Sequence, residues 1–330
     1  MASYLSSVTP TEIQMIFRVF IPFVAIAVIG MVIGRWDECR HQKTLDKLLC
    51  CVFLPCLSFT ALHRYETSLR ELLLTGLAVL VLTGLPPLLG RLFAGRSQAS
   101  GVRGLPPLFR GGASLLLPLA YLLFGTAGLA KAVLFYLFVQ LCWCTLGAWL
   151  AGGRCCPGSF FRIPSLYAAA LAMMAAGSSL RAPEHLQEFV WLFEKGAAIT
   201  AMGALPLLII NFGYPLGRIG WGGLKELLPV RMLGVLSGPA LAFFLVLLYR
   251  RLGWLEVETG YDILSHIDRR TTEAVLVLGA SMPASLLAPA ALSRCWSPDV
   301  PSRLGLLGRV FTLCAVLFFI DSLIFFDARG

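Results

Sequence analysis

A ten-helix integral membrane fold, built as two sets of five spans with opposite orientation, is what this sequence predicts. Three observations predict it. The 330 residues are 58% hydrophobic and 14% charged, with a mean hydropathy of +0.80, more apolar surface than one water-soluble core can hide. Apolar stretches of roughly 20 residues, enough to cross about 30 Å of hydrocarbon as a helix, recur along the whole chain. Three short proline motifs of the first half return in the second half in the same order.

Helices rather than a barrel follow, because membrane strands alternate apolar and polar residues, whereas Leu72 to Leu89 and Val230 to Leu248 are apolar on every face. Met1 to Thr11 lacks positive charge, and the run Ile13 to Ile33 is too long for a signal-peptide core, so it is read as a retained first span. Polar breaks at Arg35 to Lys43, His63 to Arg70, Arg91 to Pro106, Gly125 to Lys131 and Gly152 to Arg162 separate spans 1 to 5 and close the fifth. Further breaks at Arg181 to Glu188, Gly213 to Lys225, Tyr249 to Arg270 and Arg294 to Arg303 divide spans 6 to 10, which end near Phe326.

The repeat is read from matching motifs. Leu54-Pro55 of span 2 answers to Leu205-Pro206 of span 7, Gly84-Leu85-Pro86 of span 3 to Gly238-Pro239 of span 8, and Gly112-Ala113-Ser114 with Pro118 of span 4 to Gly279-Ala280-Ser281 with Pro283 of span 9. The halves are 13–152 and 163–326. An odd number of spans per half inserts the second half upside down, an inverted repeat of the kind used by transporters. Thirteen Lys and Arg residues fall on the side of loops 1-2, 3-4, 5-6, 7-8 and 9-10, and nine on the other, which puts both termini outside the cytoplasm.

Composition also excludes functions. The net charge of +9 is scattered over short connections with no dense basic patch, so no nucleic-acid partner is expected. Most of the ten cysteines sit in apolar runs and read as small buried hydrophobes. Neither zinc spacing nor paired histidines occur: His41, His63, His185 and His266 all fall in expected loops, so no metal or cofactor is expected. Without a nucleophile motif, a phosphate-binding loop or paired polar residues at depth, the chain does not read as an enzyme.

The chemistry is expected where spans 4 and 9 break. A helix interrupted in lipid frees amides that must face protein, water or a ligand, and the amides after each break suit an anion. Pro118 and Pro283 mark either packing kinks or such a site, and the Gly-Ala-Ser stretch before both favours the site. Ser114 and Ser281 are the nearest hydroxyls and either contact a ligand or bond back to their own helices. Among charges, Glu194, Lys195 and Asp321 read as interfacial, and Glu273 as an acid opening span 9 beside its N-terminus. Asn211 and Gln140 serve either a polar pocket or helix-to-helix linkage.

These residues resemble the auxin efflux carriers, the plant carriers and their bacterial relatives linked to malate or malonate transport, over nearly the whole chain. The likeness lies in Leu45-Asp46-Lys47-Leu48 with Phe53 to Phe59, in Phe109-Arg110-Gly111-Gly112 through Pro118 to Phe124-Gly125, in Ile163-Pro164-Ser165, and in Ser281 to Ser285 with Ser297-Pro298-Asp299. It implies crossing broken helices 4 and 9, a scaffold of spans 1, 2, 6 and 7, and a transport unit of spans 3 to 5 and 8 to 10 that moves like an elevator. Carried onto this sequence, the substrate site comprises Gly112, Ala113, Ser114, Pro118, Ala280, Ser281, Met282 and Pro283. The family's polar residues at the crossing are replaced here by Gly112 or Ala113 and by Leu278 or Gly279.

The resulting expectation is a secondary transporter that exports a small organic anion, a dicarboxylate or an auxin-like acid, from a bacterial inner (plasma) membrane. The resemblance also implies a homodimer formed through the scaffold, with the lipid bilayer and the anion as the other partners. The alternative is a non-transporting receptor or assembly component that keeps the carrier fold, motivated by the apolar residues at the crossing. A sodium-coupled relative of the bile-acid carriers is disfavoured, because no Asn, Gln, Glu and Thr cluster stands there.

Overall fold

The computed structural model describes residues 10–36, 42–65, 69–93, 113–142, 144–145, 163–177, 184–214, 216, 240–252 and 262–282. No strand occurs among them. The helices are α1 (Pro10–Trp36), α2 (Gln42–Leu48), α3 (Leu54–His63), α4 (Leu69–Phe93), α5 (Ala113–Cys142), α6 (Pro164–Gly177), α7 (Glu184–Gly213), α8 (residues 240–251) and α9 (Asp262–Ser281). Three segments of the described residues, Thr44–His63, Leu115–Cys142 and Val190–Gly213, are long and apolar enough to cross a membrane.

A π-helical turn, Leu49–Phe53, joins α2 to α3, and the Leu54 amide donates to the Leu49 carbonyl five residues back. Its cause lies next door. Pro55 has no N–H for the Cys51 carbonyl, and its ring would collide with that carbonyl in a regular α-helix; a widened turn relieves the clash.

The α1–α7 contact is made by small residues. Ala27, Gly30 and Gly34 share one face of α1 by their spacing, and they lie directly on the backbone of Ile210, Gly213 and Tyr214 in α7. A methyl added at Gly30 would stand 2.9 Å from the Ile210 Cα, and one added at Gly213 2.9 Å from the Ala27 carbonyl carbon. Close backbone approach maximises dispersion where lipid removes most of the hydrophobic drive. Helix α7 also packs on α3, through the Phe193 ring edge-on to Phe59 at 5.6 Å, and α3 packs on α6.

The second half of α5 is the central post. Leu129 to Leu137 are buried without interruption, a helix apolar all round and therefore enclosed on every side. Helices α3, α4, α7 and α9 contact α5. Two of its rings fit against neighbouring glycines: Phe138 lies on Gly76 of α4, and Phe135 lies on Gly279 of α9, where an added methyl would come within 2.6 Å.

An apolar core is accompanied by large apolar side chains on the outside and a few charges within. Ile21, Ile29, Leu73, Trp191, Ile199, Met202 and Phe244 are exposed, while Lys131, Glu273, Gln140 and Asn211 are buried. Outward apolar side chains around an interior that holds charges are what a lipid solvent selects.

Candidate functional site

The expected break at Pro118 does not occur. The chain passes Pro118 with helical geometry and departs from it at Gly125, with φ 65° and ψ −147°. Pro118 lies near the start of the described helix, where its missing N–H releases only the Ser114 carbonyl. Gly125 adopts a backbone conformation open essentially to glycine alone. The effect on the chain is a sharp bend. A methyl at Gly128 would stand 2.7 Å from the Ala120 carbonyl oxygen, whereas eight residues of straight helix separate atoms by about 12 Å. Residues 113–124 and 126–142 are thus two helical segments that meet at a sharp bend.

Of the expected site residues, Gly112 and Pro283 lie outside the described residues, and Ala113 and Ser114 are described by backbone alone, in the first turn of α5. Pro118, Ala280, Ser281 and Met282 are all buried. Helix α9 ends at Ser281, and the Met282 amide reaches the Gly279 carbonyl at 3.3 Å, a tightened last turn. The Ser281 hydroxyl donates to the Val277 carbonyl at 2.8 Å, so its proton is committed to its own helix. Two side-chain contacts, Gly279 on Phe135 and Lys131 with Thr272, join α9 to the second half of α5 rather than to the half containing Pro118.

The polar centre of this region is a lysine that sequence reasoning placed in a connection. Lys131 is inside α5 and only 3% exposed. Its ammonium stands 3.3 Å from Glu71 Oε1 in the first turn of α4, donates to the Thr272 hydroxyl of α9, and lies 5.9 Å from the centre of the Tyr65 ring. A carboxylate, a hydroxyl and an aromatic face therefore surround one cation. Burial of Lys131 is tolerable for that reason, since an uncompensated buried charge costs several kcal/mol.

Glu273 is also displaced from its expected role. It sits well inside α9, which begins at Asp262, and so does not open a helix. Its carboxylate receives both nitrogens of the Arg250 fork from α8, Nε at 2.7 Å, while Arg269 one turn earlier stands 3.9 Å away. Bidentate pairing of this kind is strong and directional. Tyr249 of α8 donates to the Leu74 carbonyl of α4 at 3.2 Å, so α4, α5, α8 and α9 share one polar network. Among the described residues, the Glu71 carboxylate pairs with Lys131, and the Glu273 carboxylate with Arg250 and Arg269.

The remaining polar candidates link helices. Asn211 donates to Asp46 at 3.1 Å, joining α7 to α2, and Gln140 and Ser165 are hydrogen-bonded to the buried Tyr136 hydroxyl, joining α5 to α6. Glu194 is an ion-pair partner of His63 at 3.0 Å between α7 and α3, and exposed Lys195 lies over the Trp191 ring. His63, His185 and His266 are helical rather than in loops; His41 and Asp321 lie outside the described residues.

Sequence reasoning missed Glu71, Lys131 and Thr272. One signal for Lys131 was present: Ala130 and Ala132 flank it and no other charge stands between Arg110 and Arg154, isolation that marks a buried cation better than a connection. Compared with known proteins, the chain matches no protein-family model and no curated protein.

Proposed function

We propose that this chain is a ten-span, inverted-repeat secondary transporter in a plasma (bacterial inner) membrane. It exports a small organic anion by moving one group of helices past another, in the manner of the auxin efflux carriers it resembles. The observation that carries the reading is the buried cation Lys131 held among α4, α5 and α9, because a charge enclosed in apolar helices is retained against its cost when it serves a ligand or an ion path.

Helix packing supports the division into two units. Helices α1, α2, α3, α6 and α7 correspond to spans 1, 2, 6 and 7 and pack on one another through small residues and rings. Helices α4, α5, α8 and α9 correspond to spans 3, 4, 5, 8 and 9 and share the polar network. The second half of α5 touches both groups.

Four contacts support the ten-span topology. In that topology the halves of spans 3, 5, 8 and 9 that lie towards one and the same side carry Glu71, Lys131, Arg250 and Glu273, which meet inside the helices. The end of span 2 and the start of span 7 lie on that side too, and His63 meets Glu194 there. The start of span 2 and the end of span 7 lie opposite, where Asp46 meets Asn211.

Counterflow of labelled dicarboxylates and indole acids in proteoliposomes tests the function, with saturable exchange expected. Flux unchanged by Ser114→Leu combined with Ser281→Leu removes those two serines from the site. Saturable binding without flux moves the chain to the non-transporting reading, which the commitment of the Ser281 proton to Val277 favours.

A further inference from the structure

We infer that Lys131 is the carboxylate-binding cation of the moving unit, and that Glu71 is a tethered carboxylate occupying it in the absence of substrate. The inference rests on the transporter reading and assigns its ligand group.

The geometry argues for exchange at this pair. Lys131 is 3% exposed and the Glu71 side chain 12%, so the acid is the more accessible partner, and it stands in the first turn of α4. An external carboxylate reaches the ammonium by displacing Glu71. Such a swap leaves the buried cation without a carboxylate only in the minority of molecules from which Glu71 has swung away: an arriving carboxylate takes its place, and the Glu71 carboxylate rehydrates. A buried ion pair is costly to break and cheap to exchange.

The other acid of the network cannot take the same part. Thr272 and Glu273 are adjacent on α9, yet Thr272 accepts from Lys131 while Glu273 is held by the Arg250 fork and by Arg269. Among the described side chains, this neighbouring cluster sets the two cations Arg250 and Arg269 against the one carboxylate of Glu273, an excess that attracts anions towards the pair. A singly charged carboxylate matches the charge that Glu71 vacates.

Glu71 then sets the apparent affinity. When a site is competent only in a fraction of molecules, the apparent Kd rises by the inverse of that fraction, so a tether that vacates Lys131 in one molecule in ten weakens binding about tenfold.

The test titrates the full detergent-purified chain with benzoate by calorimetry. Wild type, Glu71→Gln, Lys131→Gln and the double variant are compared, each checked for a monodisperse size-exclusion peak. Expected are saturable binding to wild type, binding to Glu71→Gln about tenfold tighter, and no saturable binding to the double variant. The double variant buries no unpaired charge, so it remains informative if Lys131→Gln fails to fold. Equal benzoate affinity in wild type and Glu71→Gln, retained binding in the double variant, or no binding in either wild type or Glu71→Gln overturns the inference. The transporter reading is judged separately by counterflow: anion exchange that survives in the double variant leaves a carrier whose site lies elsewhere.

Discussion

The α1–α7 seam and the Lys131 network hold helices together by opposite means. At the seam, Ala27, Gly30, Gly34 and Gly213 contribute almost no side chain, and the helices meet backbone to backbone. At the network, Glu71, Lys131, Thr272, Arg250 and Glu273 join helices through the ends of long side chains. Where backbones meet at Gly30, Gly34 and Gly213, and the Phe23 and Phe212 rings pack beside them 6.0 Å apart, neither helix slides without collision. Long charged side chains can re-pair without moving the backbone, so the network tolerates a second arrangement that the seam excludes. This difference suits a fixed body and a working one.

The largest effect should come from breaking the network on one side only. Lys131→Met leaves Glu71 without its ammonium at a buried position, and about 3–5 kcal/mol of stability should be lost. Lys131→Met combined with Glu71→Met should regain most of it, as measured by thermal unfolding in detergent; a double variant no more stable than the single one would show that the ion pair is not the source of the loss. Next comes the seam. Gly213→Leu drives a side chain into the Ala27 carbonyl, and overpacking should cost about 1–3 kcal/mol or more. No single change on α1 should rescue it, because the obstacle is backbone; recovery by an α1 side-chain substitution would erase the contrast drawn above. The smallest effect is expected at His63→Ala, where the lost pair with Glu194 is partly exposed and contributes under about 1 kcal/mol. A larger drop in melting temperature would show that the stack of His63 on Phe59, 5.4 Å between ring centres, matters more than the charge.

Helices apolar and long enough to cross a membrane were legible because they depend on composition and run length, which need no tertiary information. Motif matching drew attention to α5 and α9, two of the helices that share the polar network, but put the interruption of α5 at Pro118. Proline has two outcomes in a helix: it bends the interior, or it is accommodated near the start, and sequence does not say where the start is. Gly125, read only as part of a connection, is the residue that turns the chain. Lys131 and Glu273 were misplaced for a related reason. A charge in an apolar stretch reads as a boundary unless its partner is known, and here the partners are 60 residues away in Glu71 and 23 residues away in Arg250. Thr272 carried no signal at all, because a threonine beside charged residues is ordinary.

The π-helical turn at Leu49–Phe53 has a consequence for register. A widened turn accommodates one residue more than α-helical winding needs, so deleting one residue between Leu49 and Phe53 would restore a regular helix. Everything before it would rotate by about 100° relative to α3. Asp46 would then swing away from Asn211, uncoupling α2 from α7 while α3 kept its contacts with α6. The turn therefore works as a phase adjuster. It lets a single helix present one face to α7 at its first end and a differently phased face to α6 and α7 at its second.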